Sequence, residues 1–508
     1  MFASIMKWGL LILLLILLSS CIRKDLDNLS TRNWSPEIAV PLINSSFFVQ
    51  DIIKKFETGG FIKTDSTQLI TVVYTGKVVS ISGENLIPVP DQSFTTIDSS
   101  SNVNFAFPGG DLIHFIIVKS GTFNYRMLSN RQEDIRVTIT IPKATKNGKP
   151  LRIVRDLPYT GSPIEYSGQS DLSGYLLDLT GSAGNSSNTI EVKYQAELMS
   201  NGQRILLDEF EGSFENIRYN FMEGFFGLKN FEKGMDTIVL DIFKNWISGT
   251  VFIEDPVMNI LVSNSFGMPL ELHLTDFNAS NRQVALPISG SAFNTGYDLG
   301  FPDGNSIGSA ENTDIVLNSD NSNLQNVLAI APNRLNFGFN VTANTNPFTV
   351  LGFLTDESQF TIDVDLEIPL QGRIDNLVLA DTFAMELDNI EEIDYADFKL
   401  FTENTFPVDL QIQVYFTDDQ DQIVDSLLST PKIILASGIA EPGSDIRIPV
   451  QEETIISFGA EKLDHFFYSS KMTVNVRLAS TGGGAESVRF LSTQSLSVKL
   501  GVISGLSP

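Results

Sequence analysis

Apolar residues recur at every second position over much of the chain, in short runs. Ile135, Val137, Ile139 and Ile141 alternate with Arg136, Thr138 and Thr140, and Pro142 ends the run. Ile362, Val364, Leu366 and Ile368 alternate with Asp363, Asp365 and Glu367 before Pro369. A period of two puts one set of side chains on each face, so these runs predict half-buried antiparallel strands. Polar turn sequences that tolerate positive φ lie between such runs: Lys146-Asn147-Gly148-Lys149, Pro302-Asp303-Gly304-Asn305 and Gly482-Gly483-Gly484. Long segments of helical period are absent. The pattern predicts an all-β protein built of antiparallel sandwiches.

The pattern also repeats. Asn264-Ser265-Phe266, followed by Leu270, Leu272 and Leu274, matches Asn404-Thr405-Phe406, followed by Leu410, Ile412 and Val414, at an offset of 140. Downstream, Leu324, Val327 and Leu328 with Leu335, Phe337 and Phe339 match Leu463, Phe466 and Phe467 with Val474, Val476 and Leu478 at an offset of 139. Each second block opens with helical spacing and ends in a strand, so a short helix is expected in at least two repeats. A weaker third copy is aligned on Asn130, followed by Ile135, Val137 and Ile139 with one residue fewer. Boundaries drawn near Trp246 and Gly372 give a β-rich region at 33–245, holding one large or two small domains, and β-sandwich repeats at 246–372 and 373–508. The asparagine, small hydroxyl and apolar residue before an alternating strand resemble the late-embryogenesis-abundant type 2 family of β-sandwich domains. Pro269 and Pro407 stand near the asparagine and not directly after it, and the likeness covers about twenty residues per copy. It implies tandem immunoglobulin-like sandwiches and no particular activity.

The first residues follow a different rule. Residues 8–18 carry no charged or polar side chain other than the indole of Trp8, and Lys7 precedes them. A helix of this length rises only about 16 Å, roughly half the hydrocarbon layer of a bilayer. That is the core of a signal peptide at 1–20 and too short for a stable span. It ends in Leu18-Ser19-Ser20-Cys21, which resembles the lipobox of bacterial lipoproteins, and Cys21 is the only cysteine of the chain. The resemblance implies diacylglycerol on the Cys21 thiol, cleavage before it and an N-acyl chain on the new terminus, enough for stable anchoring. An acylated tether at 21–32 follows. Its Asp25 and Asp27 partly match a signal for display on the outer face of the outer membrane, but Arg23 and Lys24 precede them. The periplasmic and surface-exposed faces both stay open.

Charge narrows the partners. The chain carries 34 basic against 61 acidic residues, a formal charge of −27. Nucleic acid and anionic lipid headgroups would repel it, so its expected partners are the membrane through its anchor and an envelope protein. One cysteine forms no internal disulfide, and stability must come from packed cores.

Candidate chemistry is sparse. His114 lies in an apolar strand, His273 alternates with Leu272 and Leu274, and His465 stands in the second short helix; none has a second histidine or a cysteine at ligand spacing. Gly304-Asn305-Ser306-Ile307-Gly308 satisfies the Gly-x-Ser-x-Gly pattern of hydrolases but lacks the strand and helix that would form its elbow. Asp418, Asp419, Asp421 and Asp425 are calcium candidates in a turn, without the glycine and glutamate of a helix-loop-helix calcium loop. The Asp363, Asp365 and Glu367 face could gather cations or simply protect a sheet from edge pairing. The chain has 36 phenylalanines against 11 tyrosines and three tryptophans, which favours packed interiors over sugar-stacking platforms. Phe221, Met222, Phe225 and Phe226 mark either an apolar interface or a domain-joining core. No cofactor beyond the covalent acyl chains is expected. The favoured class is a noncatalytic envelope lipoprotein acting as a structural or protein-binding module. A carbohydrate- or lipid-binding receptor or carrier is the alternative, and a hydrolase ranks below both.

Overall fold

The computed structural model describes residues 37–48, 60–243, 246–344, 351–384, 393–430, 432–440 and 447–506. The segments expected to be a signal peptide (1–20) and a tether (21–32), Cys21 included, lie outside the described residues. What is described is almost entirely antiparallel strand, as the period-two runs require. Ile135, Val137, Ile139 and Ile141 are buried in the strand Ile135–Lys146, and Ile362, Val364, Leu366 and Ile368 in Gln359–Pro369. Asn147 and Gly148 take positive φ, turning that first strand into its neighbour Lys149–Leu157.

Three modules share one seven-strand plan. In the third module the first strand, Glu37–Phe48, pairs with the seventh, Ser495–Leu506, which pairs with the third, Ile393–Asn404, and that with the fifth, Val450–Phe458. Facing them, the second strand, Gln371–Ala384, pairs with the sixth, Lys471–Ser480, and the sixth with the fourth, Val408–Thr417. The second module repeats this plan with Ile70–Ser82, Lys229–Val239, Val257–Asn264, Leu270–Ser280, Glu311–Leu317, Arg334–Ala343 and Gln359–Pro369 as strands one to seven. So does the first, with Gln92–Thr96, Ser100–Asn104, Leu112–Ser129, Ile135–Lys146, Ile164–Asp171, Thr189–Leu198 and Glu209–Phe225. The immunoglobulin-like expectation holds for the architecture, two antiparallel sheets forming a sandwich, except that in the first module Leu176–Asp178 pairs with both Leu112–Ser129 and Ile135–Lys146 and joins the two sheets along one edge; the strand order is the module's own. Short helices, Leu324–Leu328 and Ala460–Tyr468, stand between the fifth and sixth strands of the second and third modules.

The modules are nested. Between strands one and two of the third module lies all of the second, and between strands one and two of the second lies all of the first. Strand pairing therefore crosses the boundaries drawn at 246 and 372, since region 33–245 supplies Glu37–Phe48 to the third module and Ile70–Ser82 and Lys229–Val239 to the second. Trp246–Ile253 likewise pairs with Gln371–Ala384 in the third. Sequence periodicity marks a strand but not its partner, because pairing is decided by contacts far apart in the chain.

The repeated asparagine is a clasp at the end of the third strand. Asn264 is fully buried; its Oδ1 accepts from the Phe266 amide at 2.9 Å and its Nδ2 donates to the Gly300 carbonyl at 2.9 Å. Asn404 is fully buried too, accepting from the Phe406 amide at 2.7 Å and donating to the Ala436 carbonyl at 2.7 Å. The hydroxyl beside each asparagine binds the start of the seventh strand. Ser265 Oγ accepts from the Gln359 amide at 2.7 Å, and Thr405 Oγ1 from the Ser495 amide at 2.7 Å. In the first module Ser129 holds the asparagine's place: it is buried and accepts from the Arg131 amide at 3.3 Å. The Asn130 amide donates to Asp208 Oδ2 at 2.7 Å, so a carboxylate on the chain entering the seventh strand answers the clasp. The third copy thus aligns on Ser129, not Asn130, and with that one-residue correction no gap remains before Ile135.

Candidate functional site

The sequence candidates for catalysis or metal binding are held in local structure and do not converge. Asp418 Oδ1 accepts from the amides of Gln420 and Gln422, both at 2.9 Å, and so closes a hairpin turn. Asp421 pairs with Lys471 at 2.6 Å, and Asp425 with His465 Nδ1 at 2.9 Å. Asp419 is exposed. Burial would raise the Asp425 carboxyl, but hydrogen bonds from His465 and the Ser426 amide, with the Lys462 charge nearby, hold it below the ordinary carboxylate range. The His465–Asp425 pair was not legible, because its members stand on a helix and a strand with nothing in either local pattern to link them.

The other candidates behave alike. His273 Nε2 lies 3.3 Å from Glu271 Oε1 on its own strand, and the His114 ring meets Phe115 edge-on. Ser306 Oγ accepts from the Asp303 amide at 2.9 Å and donates to Asp303 Oδ1 at 3.0 Å inside an exposed turn, with no nucleophile elbow around it. On the Asp363, Asp365 and Glu367 face, Glu367 pairs with Lys63 at 2.8 Å and Asp363 stands opposite Lys77. Among the described residues no group of three or more His, Cys, Asp or Glu side chains is placed to hold a metal ion.

The phenylalanine cluster at 221–226 does assemble something. Strand Glu209–Phe225 runs beyond its own module and is met at Phe221 to Gly224 by Gly352–Thr355, a strand from the second. Met222 and Phe226 are fully buried and join the cores of the two modules into one. The Phe221 ring stacks on Phe353 at 6.0 Å, and Phe353 in turn lies over Gly267, where a Cβ would stand 2.3 Å from the ring. Gly227 takes φ +58° and would put a Cβ 2.5 Å from the Gly109 carbonyl, so only glycine fits that crossing. Beside it Lys229 Nζ pairs with buried Asp111 at 2.9 Å; burial pushes this carboxyl up and Lys229 opposes the rise. The domain-joining reading is therefore right for Met222 and Phe226.

Phe221 and Phe225 face the other way. Cross-strand pairing places Leu176 beside Ile117, Ile117 beside Phe221, Phe115 beside Glu223 and Leu112 beside Phe225. Residues directly opposite share a face, so these seven side chains lie together on the outside of the sheet, with buried Phe353 opposite Glu223 closing one side of the face, while Ile116, Leu177, Met222 and Leu354 point inward and are fully buried. Leu112 is 47% and Ile117 38% exposed; the four other apolar side chains are half-buried. Lys119 with Asp356, at 2.6 Å, and Lys143 with Asp178, at 3.0 Å, form charged pairs on the rim. Glu223 stands within the apolar face and makes no ion pair among the described residues.

No family model matches the chain, and no curated protein matches it. Among solved structures, a protein of Parabacteroides distasonis described as secreted is 14% identical, with 56% of this chain and 89% of that one covered at a TM-score of 0.27. A capsid structure of infectious bursal disease virus is 9% identical over 91% of this chain and 85% of its own, at a TM-score of 0.13. Likenesses this remote carry no argument about activity.

Proposed function

We propose that the chain is a lipid-anchored lipoprotein of the bacterial cell envelope, noncatalytic, whose sandwich modules serve as a structural or protein-binding array. One observation carries the anchor: the sole cysteine stands directly after a short apolar run and two small residues, at Cys21. Among the described residues no helix is long and apolar enough to cross a membrane. The residues after Cys21 lead into Glu37–Phe48, so lipid there would tie the membrane to the third module through its first strand. The noncatalytic reading is supported by where the candidate groups are used: His465, Asp425, Ser306 and Asp418 each serve a turn or a tie between elements. The outer membrane is the proposed address, with its face left to experiment.

Replacing Cys21 tests the anchor. Cys21→Ser should abolish incorporation of labelled palmitate and either release the protein or leave its precursor uncleaved; a variant that is still normally processed and retained in the membrane refutes the anchor. One observation favours a carrier as the second reading. In the third module Phe398, Phe466, Phe467, Met472 and Val474 pack against the core and are only half-buried, which leaves apolar surface that an apolar ligand could cover.

A further inference from the structure

We propose that the outward apolar face formed by Leu112, Phe115, Ile117, Leu176, Phe221 and Phe225 docks a partner protein, which presents an apolar side chain with a lysine or arginine beside it. This deepens the protein-binding reading above and rests on it. The face is contiguous across three paired strands and its rim is polar, the arrangement of a protein interface. Glu223 decides the partner's chemistry. A carboxylate inside an apolar contact loses its water on docking, and that loss is offset only by a cation brought to it. A second copy of this chain, with a formal charge of −27, offers the wrong sign. A lipid surface is disfavoured for the same reason, since Glu223 would enter hydrocarbon unpaired or meet anionic headgroups.

The test uses the full lipidated chain in the cells that make it. A photoactivatable benzoylphenylalanine is placed in turn at Ile117, at Leu261 on the second module and at Ile455 on the third, all three exposed. The expected result is a protein adduct from position 117 alone, with a lysine or arginine next to the crosslinked residue of the partner. Its yield should fall about tenfold in Glu223→Lys. Asp314→Lys, on the outer surface of the second module, should leave the yield unchanged and so separates a local charge effect from a change in net charge. An adduct with a second copy, an adduct with lipid, a yield indifferent to Glu223→Lys or equally lowered by Asp314→Lys, or no adduct at 117 each overturns the proposal. Adducts at 261 or 455 without one at 117 remove this face and leave the protein-binding reading standing; adducts at none of the three remove both. Glu223→Lys changes a side chain outside the core, and hydrogen exchange at the buried Met222 and Ile116 amides verifies that the sheet is intact.

Discussion

The second and third modules share strand order, helix position and clasp, yet they differ inside. In the second, Leu324, Val327, Leu328, Leu335, Phe337 and Phe339 are at most 1% exposed, and Phe277 gathers Phe293, Phe337 and Phe339 around it at 5.3 to 6.0 Å. The corresponding positions of the third module hold Leu463, which is buried, and Phe466, Phe467, Val474, Val476 and Leu478, which are half-buried. The second module's core is continuous with the first module's and takes in Phe406 and Val408 at one end of the third, while the rest of the third module's interior forms a smaller separate core around Phe416 and Phe458. The difference separates two things often treated as one: the polar clasp and pairing define the module, while the completeness of its filling varies independently.

Cutting side chains out of the two interiors should expose this most strongly. Phe337→Ala leaves a cavity among packed rings and should cost about 3 to 5 kcal/mol. Val476→Ala, at the equivalent position, should cost roughly 1 kcal/mol, since less is removed and the site is already partly hydrated. Denaturant-dependent hydrogen exchange, read separately on Phe337's strand and on Val476's, gives both values. Equal losses at the two positions would mean that the third interior is as well packed as the second.

The clasps should show the opposite pattern. Removing the side chain at Asn264→Ala or Asn404→Ala leaves a buried amide and a carbonyl without partners, and about 2 to 3 kcal/mol should be lost at either site. The same exchange experiment checks whether the two costs agree although the interiors do not. A much smaller loss at Asn404 would tie the clasp's worth to the packing around it.

Much of this was legible in the sequence, for reasons that also mark the limit. Alternation in 135–141 and 362–368 reports which side chain is buried, because a strand's side chains alternate faces whatever its neighbour is. The Asn-hydroxyl-Phe motif is local, since Asn264 binds the Phe266 amide two residues on, so its recurrence at 404 could be found by inspection. Ser129 escaped because the first module keeps the hydrogen bond while changing the residue, leaving Asn130 as the visible but displaced match. Nesting was illegible: no local pattern in Glu37–Phe48 says that its partner begins at Ser495. The apolar face was half-legible, as Phe221 and Phe225 were visible but Ile117 and Leu176 join them only through pairing.

The smallest difference between the two modules is a titratable tie that the third has in place of an amide in the second. The second module's helix is held by Gln325 Nε2 donating to the Ile253 carbonyl at 2.8 Å, which no pH change in the working range alters. The third module's longer helix is held by His465 on Asp425. Because the Asp425 carboxyl is held below its unfolded value, its contribution is fully present above the ordinary carboxylate range and is lost as pH falls through its folded value. Both side chains keep some exposure, so solvent screens the pair and about 0.5 to 1 kcal/mol is the expected size. Acid should therefore loosen the amides of Ala460–Tyr468 before those of Leu324–Leu328, and Asp425→Asn should remove most of that lead. Exchange measured between pH 6 and pH 3, with rates corrected for the intrinsic pH dependence, reads the order directly. If both helices loosen together, the His465–Asp425 pair is a surface contact without a share in holding the third module closed.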